Sequence, residues 1–382
     1  GVRLVKPGIL VISHGSREKE WVKRVEETVA EARRALSGLQ PGGRKTQTAF
    51  GRNADAAAKG VGDEGACAGR ATDERAADGN AAGERADSGS TAVVRAVNGS
   101  ATGGSSTDER AIGSRSSVEG ATDERAVESI ATGEESGVQG AAGEGTAVEV
   151  EGAYLELVEG RLIQDGIDRL EAAGVTHLLA IPLFLSSGST HVDEIGWALG
   201  AYPKPRRETE LQRMRVRARL TYGRPLANDP EVADALADLA ARASANPADE
   251  SLLVIGHGSD EPWFCEAWER ELRGLADRIA ERVGFADAAA ATLRPDLVAQ
   301  QAKRLRNRRP GSRIVAVPAF VSGGYFTAKV VPERLAGLGC AYVPGSIIPH
   351  PRVTDWIVRQ ALEWLERLKR TGDAGMENDG AT

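Results

Sequence analysis

ILVISHGSR, residues 9–17, carries four apolar side chains into a His-Gly-Ser turn without a charge among them. Such a run reads as a buried parallel strand that stops at a tight turn and delivers an imidazole, His14, at its carboxyl end. LLVIGHGSD, residues 252–260, repeats the phrase, so the chain carries two copies of strand, His-Gly-Ser turn and following helix. An internal duplication is therefore the first structural expectation.

Outward from the first copy, Trp21, Val22, Val25, Val29, Ala32 and Leu36 recur at helical spacing, and the pattern stops near Pro41-Gly42-Gly43. From there to about Thr146 the composition changes to Gly, Ala, Ser, Thr, Asp, Glu and Arg, with a loose ten-residue period marked by Arg-Ala pairs. So little apolar surface cannot offset an ordering entropy of about 1–2 kcal/mol per residue, so residues 41–147 read as a low-complexity, disordered insertion in a loop. Order resumes with AVEVEGAYLELVEG, an alternating strand from Ala147 that carries Glu156 near its end. A helix over Leu162 to Ala173 follows, then the nearly all-apolar strand Val175 to Leu185, ending at Ser186-Ser187-Gly188-Ser189-Thr190-His191.

RMRVRARL, residues 213–220, alternates Arg with apolar residues and reads as an edge strand with one wet face; Asp229 to Ala243 reads as a helix. The second half repeats this order, with RIVAVPAFV at 313–321 mirroring VTHLLAIPLFL at 175–185 and a final amphipathic helix over Val353 to Leu368. The expected fold is α/β, two similar parallel-sheet units related by pseudo-twofold symmetry. Their expected bounds are 1–40 with 148–245 for the first and 246–370 for the second, followed by a frayed tail at 371–382.

Composition narrows the function. A length of 382 residues and 41% hydrophobic content allow real cores, whereas 4% aromatic residues and 45 glycines fit a segment without one. A formal net charge of -7 argues against nucleic acid as a partner. Cys67, Cys265 and Cys340 form no CxxC pair, which gives neither a disulfide framework nor a cysteine zinc site and makes a reducing cytosol the default. No apolar run approaches the ~20 residues that span a bilayer, and the first residues do not resemble a signal peptide. The expectation is a cytoplasmic protein with no membrane partner, a monomer that is an internal pseudo-dimer.

In open parallel sheets ligands sit beyond the carboxyl ends of strands. His14 and His191 each follow such a strand, and Glu156 stands near the end of another, so the three can face one crevice. Two His and one carboxylate suit Fe²⁺, Co²⁺, Ni²⁺ or Zn²⁺ and leave coordination positions open. On residues alone each has a plainer reading as well: His14 as turn filler, Glu156 as a solvent-facing strand residue, His191 as an ordinary helix start. The turns lack GxGxxG, which disfavours a dinucleotide-binding protein, and no Walker phosphate loop is present. A phosphate-handling hydrolase using His14 as nucleophile would need arginines around a paired second histidine.

ILVISHGSR, AYLELVE, GIDRLEAAGVTHLLAIPLFLSSGSTH and YGRPLANDPEVADAL resemble, in order, the motifs of the sirohydrochlorin chelatase family, the class II chelatases that insert Co²⁺ or Fe²⁺ into sirohydrochlorin. The second half resembles the second unit of the long, two-unit members. The resemblance implies flavodoxin- or Rossmann-type three-layer units and an ATP-independent enzyme of cobalamin or siroheme biosynthesis. It also implies a metal site of His14, Glu156 and His191, with the metal as substrate and no nucleotide. The family usually places its second histidine four residues before Asp-Ile-Pro; here His191 stands three before Glu194-Ile195-Gly196, and Thr190 occupies the expected slot.

In the second half His257 has no partner histidine, since Tyr325-Phe326-Thr327 follows the strand and Arg294 stands where a glutamate belongs. A complete second site is therefore not expected. Sirohydrochlorin bears many carboxylates, and Arg17, Arg294, Lys329 and Arg334, with His257, are the expected substrate contacts. The arginines at 213, 215, 217 and 219 form a further candidate stripe, set against an ordinary edge-strand face. Metal binding needs deprotonated histidine, so activity is expected to fall below about pH 6.5. His177, at a strand start, and His350, between two prolines, read as structural. A metal or tetrapyrrole carrier without turnover is the competing class.

Overall fold

The computed structural model describes residues 5–38 and 148–376, with side chains to residue 371. The insertion expected at 41–147 lies outside the described residues, as does the end of the tail.

Two four-stranded parallel sheets carry the fold. In the first, β1 (Pro7–Ser13) lies between β2 (Glu149–Tyr154) and β3 (His177–Pro182), and β4 (Arg219–Tyr222) extends the β3 edge. In the second, β5 (Glu250–Gly258) lies between β6 (Asp287–Arg294) and β7 (Arg313–Pro318), with β8 (Cys340–Tyr342) beyond β7. The strand orders β2-β1-β3-β4 and β6-β5-β7-β8 are the same topology twice. The two central strands are the charge-free runs quoted above; every residue of β1 is buried, as a strand covered on both faces requires.

Helices α1 (Lys19–Ser37), α2 (Ile163–Ala172), α3 (Thr190–Leu199) and α4 (Pro230–Ala243) belong to the first half. α5 (Pro262–Val283), α6 (Val298–Arg308), α7 (Val331–Leu335) and α8 (Pro351–Met376) belong to the second. Alternation along the central strands sorts the layers. Leu10 and Ile12 pack with Ile163, Ile167 and Ile195 on one outer face, and Leu253 and Ile255 pack with Val298, Leu305 and Val331 on the other. Ile9, Val11, Leu252 and Val254 all face a single shared core made with α1, α4, α5 and α8. The two halves therefore share one middle layer of helices. Their last helices are exchanged: α4 packs on β7 and α8 on β3.

Three expectations change. The arginine-rich stretch enters the sheet only at Arg219, because side chains take the place of its ladder. The Arg215 N–H donates to Gln164 Oε1 at 2.9 Å, and the Arg217 and Ala218 N–H groups both donate to Glu171 Oε1. β2 ends at Tyr154, leaving Glu156 in the bend beyond it. α8 runs on to Met376, past the point where fraying was expected. Among the described residues no helix is long and apolar enough to cross a membrane. Cys340 is a free thiol and Cys265 is not.

Candidate metal centre

β1 ends at Ser13, so His14 emerges at the carboxyl edge of the sheet. Gly15 follows with φ +103°, and a Cβ there would overlap the Glu156 carbonyl oxygen. Only glycine lets the turn pass this close, which is why the motif reads His-Gly. The Glu156 N–H donates to the His14 carbonyl at 3.1 Å, so the same backbone contact seats both side chains. Leu157, next in the chain, holds a left-handed φ of +67°, a conformation costly for a branched side chain and spent here at the turn that presents Glu156.

His14 Nδ1 lies 3.1 Å from the Gly15 carbonyl, which can only accept, so Nδ1 is the donor of that pair. The His14 Nε2 stands 3.7 Å from Glu156 Oε1. His191 occupies the first turn of α3, and its ring meets that of His14 edge-on with centroids 4.8 Å apart. Its Nδ1 lies 2.6 Å from Glu194 Oε1, one helical turn on, while Glu194 Oε2 accepts from Thr209 Oγ1 at 2.6 Å. Burial would raise the Glu194 carboxyl, but hydrogen bonds from His191 and Thr209 outweigh it and hold the group below the usual carboxylate range. Glu194 thus backs His191 at Nδ1 with a carboxylate oxygen, an arrangement typical of metal-binding histidines. Among the described residues no group of three or more His, Cys, Asp and Glu side chains stands close enough together to hold a metal ion as the side chains lie. His14 is the hub, near both His191 and Glu156.

The second half reproduces this geometry with different chemistry. His257 Nδ1 lies 3.1 Å from the Gly258 carbonyl, and Gly258, φ +82°, rides over the Arg294 carbonyl as Gly15 rides over Glu156. Phe326 meets His257 edge-on at 5.0 Å and lies 5.7 Å from Phe320, as His191 meets His14 and lies 6.1 Å from Phe184. Glu156 and His191 are thus replaced by Arg294 and Phe326.

Residues of both halves line one cleft of about 660 Å³, whose walls include His14, His191, Arg207, His257, Arg294 and Phe326. Glu156 is not part of that wall. The cleft falls within the range of small-molecule sites. Arg207 pairs with Glu261 at 2.9 Å and Arg294 with Asp260 at 2.8 Å, so each arginine of this wall is held by an acid of the same wall.

The CbiX family model matches residues 119–243 and 251–363, one match in each half. The chain belongs to the CbiX family. Among solved structures, SirB from Bacillus subtilis with Fe³⁺ is similar at a TM-score of 0.51 and 15% identity, covering 94% of this chain and 95% of that one. SirB from Bacillus subtilis subspecies spizizenii in complex with cobalt gives 0.48 and 15% over the same shares. DR2241 from Deinococcus radiodurans gives 0.47 and 16%, covering 94% of this chain and 55% of that one. At such identities the first likeness concerns the fold, two α/β units of chelatase type. No curated protein matches the chain.

The remaining expected residues of this CbiX-family chain stand elsewhere. Arg17, Lys329 and Arg334 do not line the cleft. Arg17 is exposed, Lys329 lies over the Tyr325 ring at 5.8 Å, and Arg334 pairs with Asp296 at 3.3 Å. The arginine stripe serves the fold: Arg213 stacks on Trp197 at 4.4 Å, Arg215 pairs with Asp168 at 3.3 Å and Arg217 with Glu171 at 2.7 Å. His177 hydrogen-bonds Thr176 at the far end of β3, and His350 bridges Asp238 and the Arg352 N–H. Arg207 carried no signal in the sequence. Glu194 did, as an acid one helical turn after a candidate ligand.

Proposed function

We propose that this CbiX-family chain is a sirohydrochlorin chelatase that inserts Co²⁺ or Fe²⁺ without ATP, in the making of cobalamin or siroheme. The supporting observation is the convergence of His14 with His191 and Glu156 at the carboxyl edge of the first sheet, each imidazole backed at Nδ1 by an oxygen. In this reading the two Nε2 lone pairs and the Glu156 carboxylate receive the metal, which is a substrate and must leave again.

The tetrapyrrole lies in the cleft, where Arg207 and Arg294 exchange Glu261 and Asp260 for its carboxylates; Arg matches a carboxylate with paired donors. As two pyrrole nitrogens bind the ion, two N–H protons are released. Glu156, or an imidazole freed from the metal, accepts one, and solvent takes the other. The second half, with Phe326 and Arg294 in place of ligands, contributes substrate contacts and no second metal site.

The assay is anaerobic mixing of protein, Co²⁺ or Fe²⁺ and sirohydrochlorin, followed by the visible spectrum. Wild type forms metallated product in excess over protein, and His14→Ala and His191→Ala lose this activity. Equal rates in all three proteins reject the assigned residues, and product limited to one equivalent per chain indicates the carrier instead.

A further inference from the structure

The loop between β3 and α3 leads into His191, and its partner lies in the other half. Glu271 of α5, only 8% exposed, accepts from Ser186 Oγ at 2.5 Å, from the Ser187 N–H at 3.0 Å and from Ser187 Oγ. Arg270 adds its charge 3.7 Å away. The next residue, Gly188, is pressed onto the first turns of the same helix: a Cβ there would overlap the Phe264 carbonyl and come within 2.6 Å of Trp268 Cδ1.

The corresponding loop of the second half, which leads into Phe326, is held far more loosely. Arg24 of α1 reaches Ser322 Oγ at 3.5 Å and the Gly323 carbonyl at 3.4 Å, and a Cβ on Gly324 would meet nothing nearer than Glu18 Oε2 at 3.8 Å. The two halves have matching topology, yet the tight grip falls on the loop that carries a candidate ligand. A buried carboxylate taking three donors, two of them on one residue, fixes a loop more firmly than two guanidinium contacts stretched to 3.4 and 3.5 Å. Metal ligands need such support, within about 0.5 Å of their working positions.

Resting on the reading of His14, Glu156 and His191 as the metal holder, we infer that Glu271 is a positioning residue for His191. The C-terminal half has no complete ligand set of its own and instead sets the ligand loop of the N-terminal half. Glu271 does not line the cleft and makes no contact with substrate in this scheme.

The test is Co²⁺ titration of the full chain, read by the visible absorption of bound Co²⁺, together with steady-state kinetics. Glu271→Ala weakens Co²⁺ binding about 10- to 100-fold, the usual loss when a residue behind a ligand is removed, and leaves KM for sirohydrochlorin unchanged. Glu271→Gln keeps one carbonyl acceptor and recovers part of the loss, while Arg24→Ala leaves Co²⁺ affinity as in wild type. If Glu271→Ala does not fold, Ser187→Ala removes one donor, keeps the carboxylate and shifts affinity in the same direction. Wild-type affinity in the folded Glu271 and Ser187 variants, with affinity lost in His191→Ala, overturns the positioning role and leaves the metal site standing. Affinity retained in His191→Ala overturns both.

Discussion

Two side chains separate the halves chemically. Where the first half has Glu156 and His191, the second has Arg294 and Phe326 on matching backbone, with the His-Gly turn and the edge-on ring contact preserved. Restoring the chemistry should therefore restore the site. Arg294→Glu with Phe326→His is expected to raise Co²⁺ stoichiometry from one to two per chain, measured by metal analysis after equilibrium dialysis; a stoichiometry that stays at one contradicts the equivalence. His14, Glu156 and His191 stand out in the sequence as candidates because a motif marks each of them, and in the second half the absence of a histidine at Tyr325-Phe326-Thr327 and Arg294 in place of a glutamate are equally visible. Glu271 and Arg207 were not legible, since an acid on a helix and an arginine in a loop acquire meaning only through partners distant in sequence: Ser186 and Ser187 for the one, Glu261 for the other.

Among the elements, the exchanged helices α4 and α8 bind the halves together. Trp356 and Trp364 of α8 are buried, with Nε1 donating to Asp229 and to Thr221 of β4, at 3.0 and 3.1 Å. Each buries on the order of 150–250 Å², roughly 4–6 kcal/mol of transfer free energy as an upper bound. Between the helices Arg359 donates to Glu231 at 2.6 and 3.1 Å and to Asp229 at 2.8 Å. Burial would raise the Glu231 carboxyl, but the hydrogen bonds and charge of Arg359 hold it below the ordinary range.

A carboxyl lowered by folding stabilises the protein above its unfolded pKa, and that contribution fades as pH falls through the lowered value. The thermal midpoint should therefore drop on acidification below about pH 4.3, the ordinary glutamate value. Glu231→Gln should lose about 1–3 kcal/mol at neutral pH and show a flatter acid limb. Parallel acid limbs for the two proteins would show that Glu231 carries none of the dependence.

The largely apolar strands β1, β3, β5 and β7 can be read directly, because strands buried on both faces need no alternation. β6 went unread: its alanine run lacks the branched side chains that mark strands, and it is an edge strand held by pairing with β5. The arginine alternation promised a longer β4 than exists, since Gln164 and Glu171 of α2 take its backbone donors instead.

On the scale of the whole molecule, one topology occurs twice and presents different side chains in each copy. The first half lines the cleft with two imidazoles, the second with an imidazole, a phenyl ring and an arginine, and the halves share one layer of helices. The strand orders of the two halves are identical, while the loops that follow β3 and β7 are held by different partners. The account stands on a single divalent ion bound between the rings of His14 and His191. Anomalous diffraction at the cobalt edge from crystals soaked in Co²⁺ tests this directly: the account predicts one peak per chain, within bonding distance of both Nε2 atoms. A peak at His257, equal peaks in the two halves, or none beside His14 would contradict it.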